Sequence, residues 1–245
     1  MVTRWTLHSP PSEMPFPRSL IFEGETAQED LYQLHLSPDD EWSPSRVAGD
    51  DQVFVATRPS DTESCPADLL KATVTLRSTT VERVLALVLP WFPYRTQWDD
   101  LMDEATTVID VSEDNVHRVV QHVTRRKWPL STRDTVDVVS VRRRSPSIVV
   151  VSARSVDYDG APAPKRHVVR TVQLLGGYVI EQRGTDVLFS MYFHCDLKLP
   201  GPRLFSSIVD AIKPRFAHDK LRALAKASAS NSPKLDPNHV KMCML

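Results

Sequence analysis

Hydrophobic and polar residues alternate most regularly in residues 186–197. Successive side chains of a β-strand point to opposite faces, so this alternation predicts a strand with one fully buried face. The residues predicted on that face are Val187, Phe189, Met191, Phe193, Cys195 and Leu197. Cys195 is then most simply a core residue of the strand.

A helical spacing follows in residues 204–228, where apolar residues recur at intervals of four, three and four. These residues are Phe205, Val209, Ile212 and Phe216, and together they form one stripe along a helix. A helix of roughly 25 residues is about 37 Å long, so this stripe needs a large surface to pack against. Pro214 interrupts the stripe. It indicates either an ordinary kink or break between two short helices, or a gate.

Seven segments with strand-like alternation fill the ninety or so residues before this helix, with short connections and no helical pattern between them. This arrangement predicts a meandering antiparallel sheet. The segments are residues 106–111, 116–124, 135–142, 147–156, 167–175, 178–182 and 186–197.

The first part of the chain is predicted to be mixed. Residues 1–22 are rich in proline and are expected to be extended. A helix is predicted to begin near Thr26 and another to span residues 79–89, each opened by a capping-box pattern. Short strands are predicted at residues 53–55 and 71–77. A curved antiparallel sheet holding a long last helix is an α+β fold.

Composition narrows the possible partners. The chain has 245 residues, 41% of them hydrophobic, and a net charge of −1, which suits one substantial core and provides no strong field for nucleic acid. Residues 1–70 hold 4 basic and 13 acidic residues, whereas residues 71–245 hold 26 and 18. An acidic segment lying against a mildly basic body explains this asymmetry better than a nucleic-acid surface does.

Cysteine spacing and the lengths of apolar runs bear on the compartment. The three cysteines show no metal or redox spacing. The sequence contains no signal-peptide pattern, no apolar run of about 18 residues and no lipidation motif. These features predict a soluble cytoplasmic protein without a lipid anchor.

No motif for catalysis or cofactor binding is found. The chain lacks the nucleophile elbow, the phosphate-binding glycine loop and the dinucleotide fingerprint. Gly176 and Gly177 lie between two predicted strands and predict a bulge or turn. His117 and His122 should point to opposite faces of one strand, which makes them a poor metal pair. The acidic run at residues 99–104 predicts a solvated helix face. We therefore expect no enzymatic activity, cofactor or metal.

Several short motifs occur in an order that resembles a known family. They are Trp98-Asp99, Pro129-Leu130-Ser131 with Arg133-Asp134, Val151-Ser152 with Arg154-Ser155-Val156, Val169-Arg170 with Gly176-Gly177-Tyr178-Val179-Ile180-Glu181, and Asp196-Leu197-Lys198 with Pro202. Each motif is weak alone, but their order and the sheet-then-helix pattern resemble the START (StAR-related lipid transfer) domain. The resemblance covers about residues 23–228, leaving residues 229–245 as a tail.

The resemblance implies the helix-grip fold, with a hollow between the curved sheet and the last helix that holds one lipid of the sterol, phospholipid or ceramide class. The residues expected to line it are Val120, Val139, Phe189, Met191, Phe193, Phe205, Ile208 and Ile212. Residues 157–166 correspond to the loop expected to cover the tunnel mouth. Gly160 and Pro162 would then act as a gate together with Pro214. By composition alone, the same loop is equally compatible with a plain surface hairpin.

The chain also departs from the family pattern. Sterol-carrying relatives keep a buried acid and an arginine at the positions that align with Val120 and Val139. Replacing both members of a buried ion pair by apolar residues is often neutral for stability, so we expect a drier pocket without the usual polar anchor. Leu199 also stands where the family usually has glycine. These differences weaken the expectation of sterol specificity in particular.

Arg154 is the polar residue of greatest interest. If it faces the cavity together with Val150 and Ser152, it is placed to contact a lipid phosphate. The alternative is a salt bridge to Asp134 or Asp137 on the neighbouring strand, since buried arginines are usually paired.

Two functions remain open at this stage. The first is a lipid carrier that loads and releases its ligand during transient contact with a membrane surface. The second is a structural or interaction subunit of a larger assembly, with a filled cavity and with protein partners bound through its two tails. An enzyme acting on a hydrophobic substrate is a third possibility, without a supporting residue constellation. An open cavity of several hundred Å³ would favour the carrier.

Overall fold

The structure is a computed structural model that describes residues 15–45, 52–60, 62, 65, 67–102, 106–128, 130–199, 203–230 and 232–244, with the backbone alone for 203–209. Its helices are α1 (Arg18–Leu36), α2 (Val81–Val88), α3 (Arg203–Ser230) and α4 (Pro237–Met242), with 3₁₀ turns at Asp39–Glu41 and Arg95–Gln97. Within these ranges, no helix combines the length and apolarity needed to cross a membrane.

The strands form one large curved antiparallel sheet. They are β1 (Ser43–Pro44), β2 (Val53–Arg58), β3 (Leu69–Leu76), β4 (Thr107–Val111), β5 (His117–Thr124), β6 (Arg133–Ser145), β7 (Ile148–Ser155), β8 (Val169–Arg170), β9 (Val172–Arg183) and β10 (Asp186–Asp196). Their order is β1-β2-β3-β10-β9-β7-β6-β5-β4, and β8 pairs with β6. The predicted α+β fold class is confirmed.

Strand pairing differs from a simple meander in two places. The last strand, β10, lies between β9 and β3, so a pairing between distant parts of the chain joins the early strands to the later ones. The short strand β8 runs parallel to β6. The predicted strands at residues 167–175 and 178–182 are therefore wrong as separate elements, because the end of the first and all of the second belong to the single strand β9.

Gly176 and Gly177 lie inside β9, so the predicted bulge or turn at this pair is corrected. Gly177 has a φ of +137°, and a Cβ added there would lie 1.9 Å from the carbonyl oxygen of Val151 on β7. Glycine is required at this position because the neighbouring backbone approaches too closely for any side chain.

Both faces of the sheet are covered by helices. The α3 face carries the largest core cluster, in which Leu221 and Leu224 of α3 pack with Val74 of β3 and Phe189 of β10. On the opposite face, a second cluster includes Leu31 and Leu34 of α1, Val150, Val179 and Tyr192. The alternation predicted for β10 thus separates Phe189 from Tyr192.

The first helix begins earlier than predicted. Its buried positions recur at helical spacing from Leu20 onward, and Pro17 stands just before its first turn. Thr26 lies in the interior of α1, where its Oγ1 donates to the carbonyl oxygen of Phe22 at 2.9 Å. The predicted start near Thr26 is therefore wrong, as is the extended conformation predicted for residues 18–22. Residues 1–14 of that segment lie outside the described residues.

Two other predicted boundaries shift. Helix α2 is capped by Thr80, whose Oγ1 accepts a hydrogen bond from the backbone N–H of Arg83 at 3.4 Å, so the cap predicted at residue 79 is corrected. The C-terminal segment predicted as a tail packs on the domain. The Tyr94 hydroxyl lies 2.8 Å from Nδ1 of His239, and Leu235 and Cys243 are buried.

Candidate functional site

A cavity of about 260 Å³ lies between the sheet and α3. This volume is slightly below the range of roughly 300–1,000 Å³ typical of pockets for drug-sized ligands. The space suits one compact apolar ligand, and a two-chain lipid would require the walls to move. The apolar part of the wall is formed by Leu70, Pro90, Leu101, Met102, Val139, Val151, Ala153, Met191, Phe193, Cys195, Leu197, Phe216 and Ala217.

Three of the residues expected to line the cavity are in its wall, namely Val139, Met191 and Phe193. The prediction was wrong for Val120 and Phe189, which are fully buried in the adjoining core. Phe189 is held there by Tyr178, with ring centroids 5.0 Å apart.

On α3, the half-buried Ile212 is not part of the wall, contrary to expectation. Phe205 and Ile208 lie in the first turns of α3, where the structure describes the backbone alone.

A polar group on β5 and β6 also faces the cavity. Asp137 is 1% exposed, and it accepts hydrogen bonds from Thr135 Oγ1 at 2.9 Å and from Ser155 Oγ at 2.7 Å. Nε2 of His122 lies 3.9 Å from Oδ2 of Asp137. His122, Thr135 and Asp137 all belong to the cavity wall.

Burial changes the ionisation of both side chains. It raises the pKa of Asp137 to about 6, against the opposing effect of its hydrogen bonds from Ser155 and Thr135. Burial, together with the smaller effect of the positive charges of Arg95 and Lys220, lowers the pKa of His122 to about 3. At pH 7 the imidazole is therefore neutral, and most of the Asp137 carboxyl group is ionised.

The expectation of a drier pocket is wrong. Val120 and Val139 are apolar as predicted, but Val120 pairs across the sheet with Asp137. The polar side chains of His122 on β5 and Asp137 on β6 therefore lie beside the two valines on the same strands. Sequence reasoning missed this pair although a signal was present. His122 and Asp137 are each two residues from one of these valines, and residues two apart on a strand share a face.

Asp99 was expected on a solvated face, but it is 2% exposed. Its Oδ2 lies 3.0 Å from Nζ of Lys220 on α3 and 3.2 Å from Nε of Arg95. Burial alone would raise the pKa of Asp99, but Lys220 and Arg95 together hold it below its ordinary value. The triad of Arg95, Asp99 and Lys220 therefore ties α3 to the 3₁₀ turn beside the cavity.

An exposed loop beside the cavity consists of residues 125–128 and 130–132, which we call the entrance loop. Arg125, Lys127, Leu130 and Ser131 line the cavity. The Nζ atom of Lys127 lies 5.3 Å from the ring centroid of Phe216, so this loop contacts α3 directly. At its tip, Trp128 is 78% exposed.

The loop predicted to cover the mouth, residues 157–166, lies elsewhere. Tyr158 and Ala161 pack with Phe16 and Leu20 on the α1 side of the sheet, and the Tyr158 hydroxyl donates to Asp110 Oδ2 at 2.7 Å. Gly160 and Pro162 therefore lie away from the cavity, and the gate predicted at these two residues is wrong. Apolar side chains in this loop find a partner in α1, which explains its position.

Helix α3 is continuous through Pro214, so the alternative of two short helices is excluded. Pro214 has no N–H to donate to the residue four positions earlier, Asp210. Separately, Oδ1 of the Asp210 side chain lies 2.6 Å from Nζ of Lys213, which lines the cavity. A gating role for Pro214 stays a prediction.

Arg154 faces α1 rather than the cavity. Its Nη2 lies 2.5 Å from Oδ2 of Asp30, and its Nε donates to the carbonyl oxygen of Leu174 at 3.0 Å. Both alternatives for Arg154 are therefore wrong, because Val151 and Ala153 occupy the cavity-facing positions of β7.

The two histidines of β5 lie on opposite faces, as predicted. His117 is buried on the α1 side, with its Nδ1 2.7 Å from Oγ of Ser140, whereas His122 faces the cavity. Across the described part of the chain, no group of three or more His, Cys, Asp or Glu side chains is placed to hold a metal ion.

Comparison with known proteins agrees with this architecture. The START domain family model matches residues 23–230. Human StAR-related lipid transfer protein 5 shares 25% sequence identity and superimposes with a TM-score of 0.77, covering 88% of this chain and 99% of its own. Human STARD10 is 17% identical with a TM-score of 0.66, covering 94% and 89%, and shows the fold alone. No curated protein matches the sequence.

Proposed function

The chain belongs to the START domain family, and from this premise we propose that it binds one lipid in the cavity under α3 and transfers it between membranes. The observation that carries the proposal is the largely apolar cavity enclosed by the sheet, α3 and the entrance loop. The similarity to human StAR-related lipid transfer protein 5, whose name states lipid transfer, supports the same function.

Apolar burial would drive binding. Each methylene group removed from water contributes about 0.8 kcal/mol, so an acyl chain of 16 to 18 carbons would contribute on the order of 10 kcal/mol. The bilayer offers the lipid a similar gain, so the net preference depends on the polar contacts in the cavity and on how closely the wall fits.

Exchange requires a place where the cavity meets a membrane, and the entrance loop supplies the chemistry for it. Trp128 is 78% exposed, and tryptophan favours the boundary between headgroups and acyl chains. Arg125 and Arg126 are exposed just before it and would attract anionic headgroups. Movement of this loop away from Phe216 would open the cavity towards the bilayer.

The rival function, a structural subunit with a filled cavity, has less support. Phe193 and Phe216 both line open space, so the aromatic filling that this rival requires does not occur between them. One of the two predicted partner-binding tails is in part occupied, since His239 packs against Phe92 with ring centroids 4.9 Å apart.

Native mass spectrometry of the full chain after incubation with mixed vesicles tests the proposal. The vesicles contain cholesterol, phosphatidylcholine and ceramide, and bound lipid is extracted and identified. We expect a mass increase that corresponds to one lipid per chain. If none of the three classes is taken up and the purified protein carries no lipid of its own, the carrier function is rejected in favour of the structural subunit.

A further inference from the structure

The chain after α3, residues 232–244, is docked on the domain, and we call it the C-terminal segment. Leu235 and Cys243 are buried, and Val240 packs against the main core cluster. Helix α4 of this segment lies against α2. The START family model matches residues 23–230 and so ends before the segment. Its docking is therefore a feature of this chain that the family model does not cover.

The docking contact is built around Tyr94, which is 5% exposed. The Tyr94 hydroxyl oxygen accepts a hydrogen bond from the backbone N–H of Asp236 at 2.7 Å. The same hydroxyl lies 2.8 Å from Nδ1 of His239, to which it can donate its proton. The His239 ring also packs against Phe92, with ring centroids 4.9 Å apart. Two hydrogen bonds and a ring contact thus hold the C-terminal segment at this turn.

The same short stretch of chain forms part of the cavity wall on its other side. Pro90 and Arg95 line the cavity, and Tyr94 lies between them in the sequence, at the N-cap position of the 3₁₀ turn that begins with Arg95. Arg95 pairs with Asp99, which also pairs with Lys220 of α3. A continuous series of contacts therefore runs from α4 through Tyr94 to the cavity wall and α3.

We infer that Tyr94 is a positioning residue that couples docking of the C-terminal segment to retention of the lipid. While the segment is docked, it holds Tyr94 and thereby keeps Arg95 in the cavity wall and in its triad with α3. Undocking would free the turn and speed up release of the lipid. Because coupling is reciprocal, a bound lipid would stabilise the docked segment by the same free energy. This inference rests on the proposed lipid-carrier function.

The C-terminal segment has the two discrete states that such coupling requires. Helix α4 has six residues, and so short a helix is not stable alone in water, so it forms only while docked. Cys243 is 1% exposed in the docked state. Its reaction with a thiol reagent therefore reports undocking of the segment.

Thiol labelling and lipid release, measured on the full chain, test the inference together. N-ethylmaleimide labelling of Cys243 is located by peptide mass spectrometry, with buried Cys65 as the reference for global unfolding. The lipid probes are dehydroergosterol, pyrene-labelled phosphatidylcholine and fluorescent ceramide, and release is timed by fluorescence after addition of excess unlabelled vesicles. We expect Cys243 to be labelled at least about threefold more slowly in the loaded protein than in the empty protein.

Two variants loosen the docking contact without replacing a residue of the cavity wall. Tyr94→Phe keeps the ring and removes the hydroxyl, whereas His239→Ala removes the partner on α4. We expect each to speed both Cys243 labelling and lipid release by about three- to tenfold, as for the loss of one or two hydrogen bonds. Asn238→Ala is the matched control, since this side chain is exposed on the same helix and should change neither rate.

A further control separates positioning from a general loss of stability. Leu34→Ala weakens the core cluster on the α1 face, away from the cavity. Thermal unfolding should show that it loses at least as much stability as Tyr94→Phe, while its rate of lipid release stays at the wild-type value. Faster release in Leu34→Ala to the same degree as in Tyr94→Phe would overturn the positioning role.

The remaining outcomes separate the inference from the proposed function. Unchanged Cys243 labelling in both docking variants, or faster labelling with unchanged release, would overturn the coupling and leave lipid carriage intact. Equal labelling of Cys243 in the loaded and empty protein would do the same, because coupling must act in both directions. Failure of the wild-type protein to bind any of the three probes would overturn carriage and the coupling together.

Discussion

The two faces of the sheet are covered by helices at different distances, and this difference separates a structural face from a binding face. On one face α1 packs closely, since a Cβ added to Gly24 would lie 2.4 Å from Nδ1 of His117 and 2.5 Å from Oγ of Ser140. On the other face α3 contacts mainly β2 and β3, and a cavity remains between it and the strands farther along the sheet.

Polar side chains on the two faces therefore have different uses. On the α1 face, Gln28 Nε2 donates to the carbonyl oxygens of Ser140 at 2.6 Å and Val150 at 3.0 Å, and so links the helix to two strands. On the α3 face, His122 and Asp137 border open space. Similar buried polar groups thus act as cross-links where the helix is close and border a cavity where it stands apart.

The largest expected effect on stability comes from breaking the triad of Arg95, Asp99 and Lys220, which ties α3 to the 3₁₀ turn. Asp99→Asn leaves Arg95 and Lys220 without their shared carboxylate, and loss of one partner from a buried ionic group is expected to lower the free energy of unfolding by roughly 3–5 kcal/mol. Urea denaturation measures this change. Asp100→Asn is the matched control, since this neighbouring carboxylate is 77% exposed and pairs with Lys127 at the surface. It should lose less than about 1 kcal/mol. Equal losses in the two variants would contradict the anchoring role of Asp99.

A second substitution breaks the close packing on the α1 side. Gly177→Ala places a Cβ 1.9 Å from Val151 O and 3.0 Å from Cδ2 of Leu31, so we expect a loss of at least about 3 kcal/mol in the free energy of unfolding. Gly184 also has a positive φ, +62°, but nothing lies within 4 Å of its added Cβ. Gly184→Ala should therefore lose only about 1–2 kcal/mol, the cost of the backbone conformation alone. Thermal unfolding of the two variants compares these effects, and similar losses would show that contact with Val151 is unimportant.

The pH dependence of stability tests whether the Asp137 carboxyl on the cavity face is buried. The pKa of Asp137 is raised from 3.8 to about 6 in the folded protein, so its protonated form stabilises the fold below about pH 4 and this contribution is lost as the pH rises through 6. Asp137→Asn removes the titration. Relative to wild type, the variant should gain up to about 3 kcal/mol between pH 4 and pH 7.5, at 1.36 kcal/mol per pKa unit. Urea denaturation at several pH values measures this difference, and a difference independent of pH would contradict the buried carboxyl.

The smallest expected effect on stability, but a clear one on transfer, comes from the tip of the entrance loop. Trp128→Ala removes an exposed side chain and should leave the unfolding free energy within about 0.5 kcal/mol of wild type. Transfer of a fluorescent lipid between vesicles should slow about tenfold, because a buried large apolar side chain contributes roughly 1.5–3 kcal/mol. Phe22→Ala is the control, since Phe22 is 66% exposed on α1. Equal transfer rates in both variants would exclude the loop tip as the membrane contact.

Much of the local structure followed from the order of residues. Alternation placed Met191 and Phe193 on the cavity face of β10, and the helical spacing predicted a long last helix. The same rule, applied to β5 and β6, would have placed His122 and Asp137 beside Val139. These predictions succeed because the direction of a side chain on a strand or helix depends on a repeat of two or about 3.6 residues within that element.

Other features were decided by tertiary structure. Asp99 sits in a run of acidic residues typical of a solvated surface, and its burial depends on Lys220, more than a hundred positions later in the chain. Arg154 was assigned the wrong face, and its partner Asp30 belongs to a helix whose start was also placed too late. Contacts between residues so far apart leave no periodic pattern in the sequence.

The sequence by itself determined the α+β class, the family and the alternation of faces along each strand, because each rests on residues close together in the chain or on motifs in a given order. Only the tertiary structure decided which loop closes the cavity. Residues 157–166 have the richer turn-forming composition, with Gly160 and two prolines, but they pack on α1, whereas the entrance loop meets α3 at Phe216. Both contacts join residues that are far apart in the chain, so no local pattern encodes them.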